Sequence, residues 1–165
     1  MSNKTIPDTY KYLDWKDFEN CCYCLNQKFV LNHYTPEIII GLSRGGVIPS
    51  RILSDILNNL DLYFIDVKLY DGTNKRDSAV IRNDFDLFSI KDKRIVVVDD
   101  IYDSGTTIKA VVNHLKSKGI KNVSSATLYA REGLNEYPTY YAKIVKRKDW
   151  IVFPWEKNEF KKEKL

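Results

Sequence analysis

Long apolar runs are missing from this sequence of 165 residues. No uninterrupted apolar stretch approaches the ~20 residues that a membrane-spanning helix needs, which excludes a protein anchored by such helices. The first seven residues also lack the apolar region of a secretion signal. We therefore expect a soluble, cytoplasmic protein that does not insert into membranes.

Histidine and cysteine are scarce, and their spacing does not indicate a metal site. The sequence has two histidines, His33 and His114, and three cysteines crowded into one stretch, Cys21, Cys22 and Cys24. A zinc site usually needs a second ligand pair at a suitable spacing. Apolar residues that recur every three or four positions instead predict a helix face, made of Trp15, Phe18, Cys22, Leu25 and Phe29. We expect reduced, structural thiols and a packed or solvated His114.

The chain also lacks a large excess of charge of one sign, since its net charge is only +4 and is spread along the sequence. Such a charge suits an anionic metabolite as well as a nucleic acid, but two adjacent acids at 99 and 100 argue against a nucleic-acid groove there. The length and the 44% hydrophobic content fit one domain, 1–165, with a substantial core. The expected partners are small molecules rather than nucleic acid.

Apolar runs alternate with amphipathic segments, which is typical of the α/β class with a mainly parallel sheet. The 70–86 segment is polar and predicts a long loop with at most short strands, a common form of lid. Gly119 is expected just beyond the end of a helix. The predicted helices are 14–33, 47–57 and one that ends near 119, and the predicted strands are 37–42, 62–69, 95–98, 123–130 and 140–145.

The segment after the most apolar strand carries the clearest chemical signal. Asp99 and Asp100 follow the strand, where open α/β sheets bind ligands. Two adjacent carboxylates repel each other unless a cation or hydroxyl groups lie between them, which predicts a sugar diol, a magnesium ion or both. A turn of small residues then opens a helix, and its N–H groups, hydroxyls and helix dipole suit a phosphate. The turn residues are Ser104, Gly105, Thr106 and Thr107.

A second glycine-containing turn follows an earlier apolar strand, and it consists of Ser43, Arg44, Gly45 and Gly46. The glycines let the backbone approach a ligand closely, and the arginine offers a planar set of donors to a phosphate or pyrophosphate. Two other phosphate motifs are excluded by spacing. A Walker loop needs a lysine directly after its glycine, and a haloacid-dehalogenase-type phosphatase needs two acids separated by one residue, whereas two residues separate Asp100 and Asp103.

The 95–107 segment resembles the signature of the type I phosphoribosyltransferases, which is an apolar strand, two acids, two variable residues and Asp-[Ser/Thr]-Gly-x-Thr. The 43–46 turn resembles the pyrophosphate loop of the same family. The resemblance extends over a core of about 37–156. It implies a mainly parallel sheet flanked by helices, a small base-binding hood and a flexible loop. It also implies Mg²⁺ bound at Asp100, phosphoribosyl pyrophosphate as donor substrate, and Asp103 as the general base.

The 149–156 segment, Asp-Trp-Ile-Val-Phe-Pro-Trp-Glu, is similar to the closing segment of bacterial xanthine-guanine phosphoribosyltransferases. The resemblance implies that Trp150 stacks on a purine, that the backbone of Ile151 meets the edge of the base, and that Trp155 belongs to the core. Arg131 stands where the family usually has a lysine that donates to the six-position oxygen of the purine. A guanidinium differs from an ammonium in reach and planarity, so the preferred purine is left open.

The resemblance implies a purine phosphoribosyltransferase of a salvage pathway that acts on guanine, xanthine or hypoxanthine and forms a homodimer or homotetramer. The 70–84 loop would close over the site, and Lys68 could assist with pyrophosphate or be solvated. Two alternatives stay open. One is a regulatory protein that senses phosphoribosyl pyrophosphate without catalysis, and the other is a transferase for a different base.

Overall fold

The computed structural model describes residues 9–58, 60–69, 79–82 and 85–158. Three α-helices and eight strands lie in these ranges, together with a short 3₁₀ helix at Phe88–Ile90. The helices are α1 (Trp15–Leu31), α2 (Val47–Ile56) and α3 (Thr106–Ser117). The strands are β1 (Thr9–Tyr12), β2 (Ile38–Ser43), β3 (Asp61–Leu69), β4 (Ala79–Arg82), β5 (Ile95–Tyr102), β6 (Val123–Arg131), β7 (Tyr140–Val145) and β8 (Asp149–Val152).

Six of the strands form a central sheet in the order β4-β3-β2-β5-β6-β7. All neighbours in it are parallel except β3 and β4, which pair antiparallel. The remaining strands, β1 and β8, form a separate parallel pair, called the hood sheet below. The predicted α/β class with a mainly parallel sheet is thus confirmed. Most of the predicted 70–84 loop lies outside the described residues.

Apolar residues of β5 pack on both faces of the central sheet. Val96 and Val98 pack into a core with α1 and α2, whereas Ile95 and Val97 pack into a second core with α3. Helices therefore cover both faces, as a strand without polar alternation requires. One boundary was predicted wrongly: β5 continues to Tyr102, because its pairing with β6 persists beyond the two acids.

Helix α1 begins at the predicted cap. The Asp17 N–H donates to Asp14 Oδ1 at 2.7 Å, and the Asp14 N–H donates to Asp17 Oδ2, which closes a reciprocal capping box. Cys22 is buried in the core as predicted, and its burial raises the pKa of the thiol to about 12. The Cys21 thiol, also buried, donates to the Tyr129 hydroxyl at 3.4 Å.

The end of α3 also matches its prediction. Gly119 follows the helix with a φ of 90°, and its N–H donates to the Lys116 carbonyl at 3.0 Å. His114 is half-buried within α3, and burial lowers its pKa. In the ranges that the structure describes, no helix has the length and apolar character needed to cross a membrane.

Candidate active site

The carboxyl ends of β2 and β5 lie side by side, which brings the two predicted ligand loops together. A Cβ added at Gly45 would lie 2.6 Å from Asp100 Oδ2, and one added at Gly46 would lie well inside contact distance of the Val98 carbonyl oxygen. Only glycine therefore allows the 43–46 loop to approach β5 this closely. The peptide bond between Ser43 and Arg44 is cis. Arg44 is exposed at the mouth of this loop.

The two acids lie at this edge of the sheet, where Asp100 is buried and only 8% exposed and Asp99 is half-buried. Asp99 Oδ1 accepts from the Asp100 N–H at 3.0 Å, and Asp100 Oδ1 accepts from the Ile101 N–H at 2.6 Å. Burial raises the pKa of Asp100 to about 7, and the charge of Glu156 makes a smaller contribution in the same direction. Burial and the charge of Asp100 raise the pKa of Asp99 well above its ordinary value. A cation or hydroxyl donors beside this pair would offset the cost of ionising it.

Glu156 is a neighbour of Asp100 that the sequence analysis did not predict. Its charge acts on Asp100, although 56 positions separate the two in the chain. The Glu156 carboxylate accepts from the Phe153 N–H at 3.0 Å, which closes the turn after β8. Its place at the end of the Pro-Trp-Glu segment was the available sequence signal.

The predicted phosphate turn forms a small pocket at the start of α3. The pocket has a volume of about 60 Å³ and is lined by Asp99 and by residues 101–108. Gly105 has a φ of 79°, and a Cβ there would clash with the Tyr102 ring. The hydroxyls of Ser104 and Thr106 lie 2.9 Å apart. The turn thus gathers hydroxyls and the amino end of a helix, an arrangement that suits an anion.

Arg131 lies at the carboxyl end of β6 and contacts Asp103 directly. Its Nε donates to Asp103 Oδ1 at 2.8 Å. Its Nη1 donates to the Lys146 carbonyl at 3.2 Å and to the Asp149 carbonyl. The Arg131 side chain is 8% exposed, whereas that of Asp103 is 73% exposed. The buried cation therefore holds a carboxylate that faces the solvent.

The hood sheet carries the residues expected to meet the base. Trp150 is 43% exposed and lies in register with Tyr10 of β1. The Lys11 ammonium contacts the Asp149 carboxylate and lowers its pKa. Trp155 is half-buried and packs against the core, with its ring centroid 5.1 Å from that of Phe18, which is close to its predicted core position.

The backbone of β8 directs its polar groups to two sides. The Val152 carbonyl accepts from the Leu13 N–H on the β1 side, and the Asp149 carbonyl accepts from Arg131 on the other. Because successive strand residues alternate in direction, the N–H and C=O of Ile151 lie on the Arg131 side. The Ile151 side chain itself is buried in the core.

Comparisons with known proteins agree with this geometry. Residues 10–158 match the family model described as phosphoribosyl transferase domain. The chain is 32% identical over 120 residues to the xanthine-guanine phosphoribosyltransferase of Idiomarina loihiensis, covering 72% of this chain and 70% of that protein. The crystal structure of a purine phosphoribosyltransferase from Pyrococcus horikoshii is 38% identical, with a TM-score of 0.76, and the match covers 89% of this chain and 94% of that one.

A regulator is also among the similar proteins. The chain is 26% identical over 112 residues to the transcriptional regulator GfcR of Methanobrevibacter smithii, covering 64% of this chain and 54% of that protein. The match to the family model extends over nearly the whole described chain, and the relatives of highest identity named here are transferases. On these grounds the chain belongs to the phosphoribosyltransferase family of enzymes.

Proposed function

We propose that this protein transfers the phosphoribosyl group of phosphoribosyl pyrophosphate to a 6-oxopurine, which is guanine, xanthine or hypoxanthine, in purine salvage. The observation that carries this proposal is the meeting of the 43–46 loop, the acid pair and the 103–107 turn at one edge of the sheet, below the hood. Identity to xanthine-guanine and purine phosphoribosyltransferases supports the purine as acceptor.

The sugar donor would lie across the ends of β2 and β5. The hydroxyls and N–H groups of Ser104, Gly105, Thr106 and Thr107 bind its 5′-phosphate at the amino end of α3. Asp99 and Asp100 accept from the ribose diol. The 43–46 loop binds the pyrophosphate with its backbone N–H groups and with Arg44, whose guanidinium matches phosphate oxygens.

Magnesium is the cation that this donor set fits. The carboxylates of Asp99 and Asp100 are hard oxygen ligands, and a divalent cation beside them would favour their ionised forms. Among the described residues, no three His, Cys, Asp or Glu side chains form a complete metal site, and magnesium is usually held by one or two carboxylates together with substrate phosphates and water. When bound through Asp100, the ion would neutralise the leaving pyrophosphate.

The purine would lie between Trp150 and the carboxyl end of β6. The exposed indole of Trp150 offers a stacking face. The N–H and C=O of Ile151 meet the edge of the base, and Arg131 donates to its six-position oxygen. The bond from the anomeric carbon to pyrophosphate breaks, a bond from that carbon to the ring nitrogen forms, and Asp103 accepts the ring proton. Closure of the 70–84 loop, which lies mostly outside the described residues, would exclude water, with Lys68 close to the pyrophosphate.

A side-by-side assay of the four purine bases tests this function. Purified protein with phosphoribosyl pyrophosphate and magnesium is mixed with guanine, xanthine, hypoxanthine or adenine, and pyrophosphate and nucleotide are measured together. We expect turnover with at least one 6-oxopurine and little with adenine, and loss of turnover when EDTA removes the metal. The Asp103→Asn variant serves as the inactive reference, and Asp92→Asn, an exposed residue of the turn before β5, is the matched control.

A sensor of phosphoribosyl pyrophosphate without catalysis is the second candidate, favoured by the similarity to GfcR. A sensor would bind the donor without releasing pyrophosphate in any of the four mixtures, and turnover with adenine or a pyrimidine alone would indicate a different acceptor. We also propose a cytoplasmic homodimer or homotetramer, which light scattering of the purified protein tests.

A further inference from the structure

Arg131 uses its guanidinium in a way that a lysine could not. A guanidinium has five N–H donors on three nitrogens in one plane. Nε donates to Asp103, and the two Nη1 hydrogens are matched by the Lys146 and Asp149 carbonyls. Within the described ranges, no protein group accepts a hydrogen bond from Nη2. Nε thus binds Asp103 and Nη1 binds the 146–149 turn, whereas the N–H groups of Nη2 remain available to a ligand.

These contacts link the ends of three neighbouring strands to the hood. Arg131 ends β6, which pairs with β5 on one side and with β7 on the other, whereas the hood sheet forms its own pair. The 146–149 turn leads directly into Trp150, and Asp103 opens the phosphate turn. A charge-assisted hydrogen bond holds its partners more firmly than one between neutral groups. The Asp103 carboxylate and the turn that leads to Trp150 are therefore both held by the Arg131 side chain.

We propose that Arg131, in addition to the contact with the base given above, is the positioning residue for Asp103. Nε orients the Asp103 carboxylate, Nη1 fixes the hood turn that carries Trp150, and Nη2 donates to the six-position oxygen of the base. This inference rests on the proposed function, since it assigns the orientation of the proposed general base to a neighbouring cation. It explains how an arginine can replace the lysine of related enzymes and still face the same oxygen.

The geometry distinguishes arginine from lysine at this position. The acceptors around Arg131 are the Asp103 carboxylate, two carbonyls and, with substrate bound, the purine oxygen. An ammonium has three N–H donors at one point and cannot serve all four. Lysine at 131 should keep a donor to the base and lose the orientation of Asp103. Methionine at 131 should lose both.

A double-mutant cycle in turnover tests the link to Asp103. The variants are Arg131→Lys, Asp103→Asn and the double variant, with Arg147→Lys as control because Arg147 is an exposed arginine of the same turn. We expect kcat to fall about tenfold in Arg131→Lys and about a hundredfold in Asp103→Asn. The double variant should lose little more than Asp103→Asn alone, because Arg131 acts through a carboxylate that is no longer there.

The Michaelis constants separate the two roles. Arg131→Lys should change KM for the purine little, Arg131→Met should raise it about tenfold or more, and neither should change the affinity for phosphoribosyl pyrophosphate. Arg147→Lys should match the wild type throughout. Thermal melting of each variant identifies a folding defect, and if Arg131→Met fails to fold, the cycle with Arg131→Lys still decides.

The outcomes separate the inference from the function beneath it. Losses of kcat that multiply in the double variant, or an Arg131→Lys enzyme with unchanged kcat, would overturn the positioning role while the transferase function stands. A KM for the purine that is equally insensitive to lysine and methionine would overturn the specificity role. A wild type that releases no pyrophosphate with any base would refute the proposed function and this inference together.

Discussion

Replacing Asp100 with asparagine should stabilise the ligand-free protein at high pH and leave its stability almost unchanged at low pH. Burial, followed by the charge of Glu156, raises the pKa of Asp100 to about 7. The folded protein thus keeps a proton over a range in which the unfolded chain has released it. Stability therefore falls as the pH rises from about 4 to about 7, since the folded state binds more protons there.

The magnitude follows from the same shift. A pKa raised from the ordinary 3.8 to about 7, at about 1.4 kcal/mol for each pH unit, makes ionised Asp100 cost the folded state about 4 kcal/mol. The asparagine oxygen can keep the hydrogen bond from the Ile101 N–H, which measures 2.6 Å. Loss of the Asp100 charge also removes one cause of the raised pKa of Asp99, which adds to the gain rather than reducing it. We expect Asp100→Asn to gain about 4 kcal/mol at high pH.

Urea denaturation of the ligand-free wild type and Asp100→Asn at about pH 5 and about pH 8 measures this difference. The Asp92→Asn variant makes the same chemical change at an exposed position and should shift stability equally little at both pH values. A variant that is no more stable than wild type at the higher pH, or one whose advantage does not depend on pH, would refute the reasoning.

Four further results are expected. Gly46→Ala should lose about 3 kcal/mol of unfolding free energy in urea, because its Cβ would press on the Val98 carbonyl, which cannot turn aside. Asp103→Asn should cut kcat about a hundredfold with donor affinity nearly intact, and unchanged turnover would remove Asp103 from its role. Trp150→Ala should raise KM for the purine about tenfold and KM for the sugar donor little, whereas an equal rise in both would indicate a structural tryptophan. Magnesium with phosphoribosyl pyrophosphate should raise the melting temperature more at about pH 8 than at about pH 6, and a smaller rise at the higher pH would contradict the raised pKa of Asp100.

The central strands and the ligand loops could be predicted because their signals are local. The apolar runs of β2 and β5 have no polar alternation, and strands of that kind are buried between helices. Once β2 and β5 are parallel neighbours, the residues that follow them must share one edge. The proximity of Gly45 to Asp100 thus follows from the order of the chain.

The hood depends on contacts between distant parts of the chain. Strand β1 has only four residues, Thr-Tyr-Lys-Tyr, and its partner β8 lies about 140 positions later. Nothing in its own sequence distinguishes it from a polar terminus. The contact of Arg131 with Asp103 depends in the same way on a side-chain conformation and on where the 146–149 turn lies. Periodicity and spacing carry no information about such contacts.

Ionising the acid pair costs free energy in the absence of a ligand, and this cost bears on what the site binds. The hydrogen bonds to Asp99 and Asp100 come from the backbone N–H of the next residue in each case, and the neighbouring charges that raise their pKa values are those of carboxylates. Neither these hydrogen bonds nor these neighbouring charges offset the free-energy cost of ionising the two acids. Gly45 even makes room for the Asp100 carboxylate by lacking a Cβ. This arrangement lowers the stability of the free protein, and the cation and diol of the proposed function would relieve the cost. The pH dependence of Asp100→Asn measures how large that cost is.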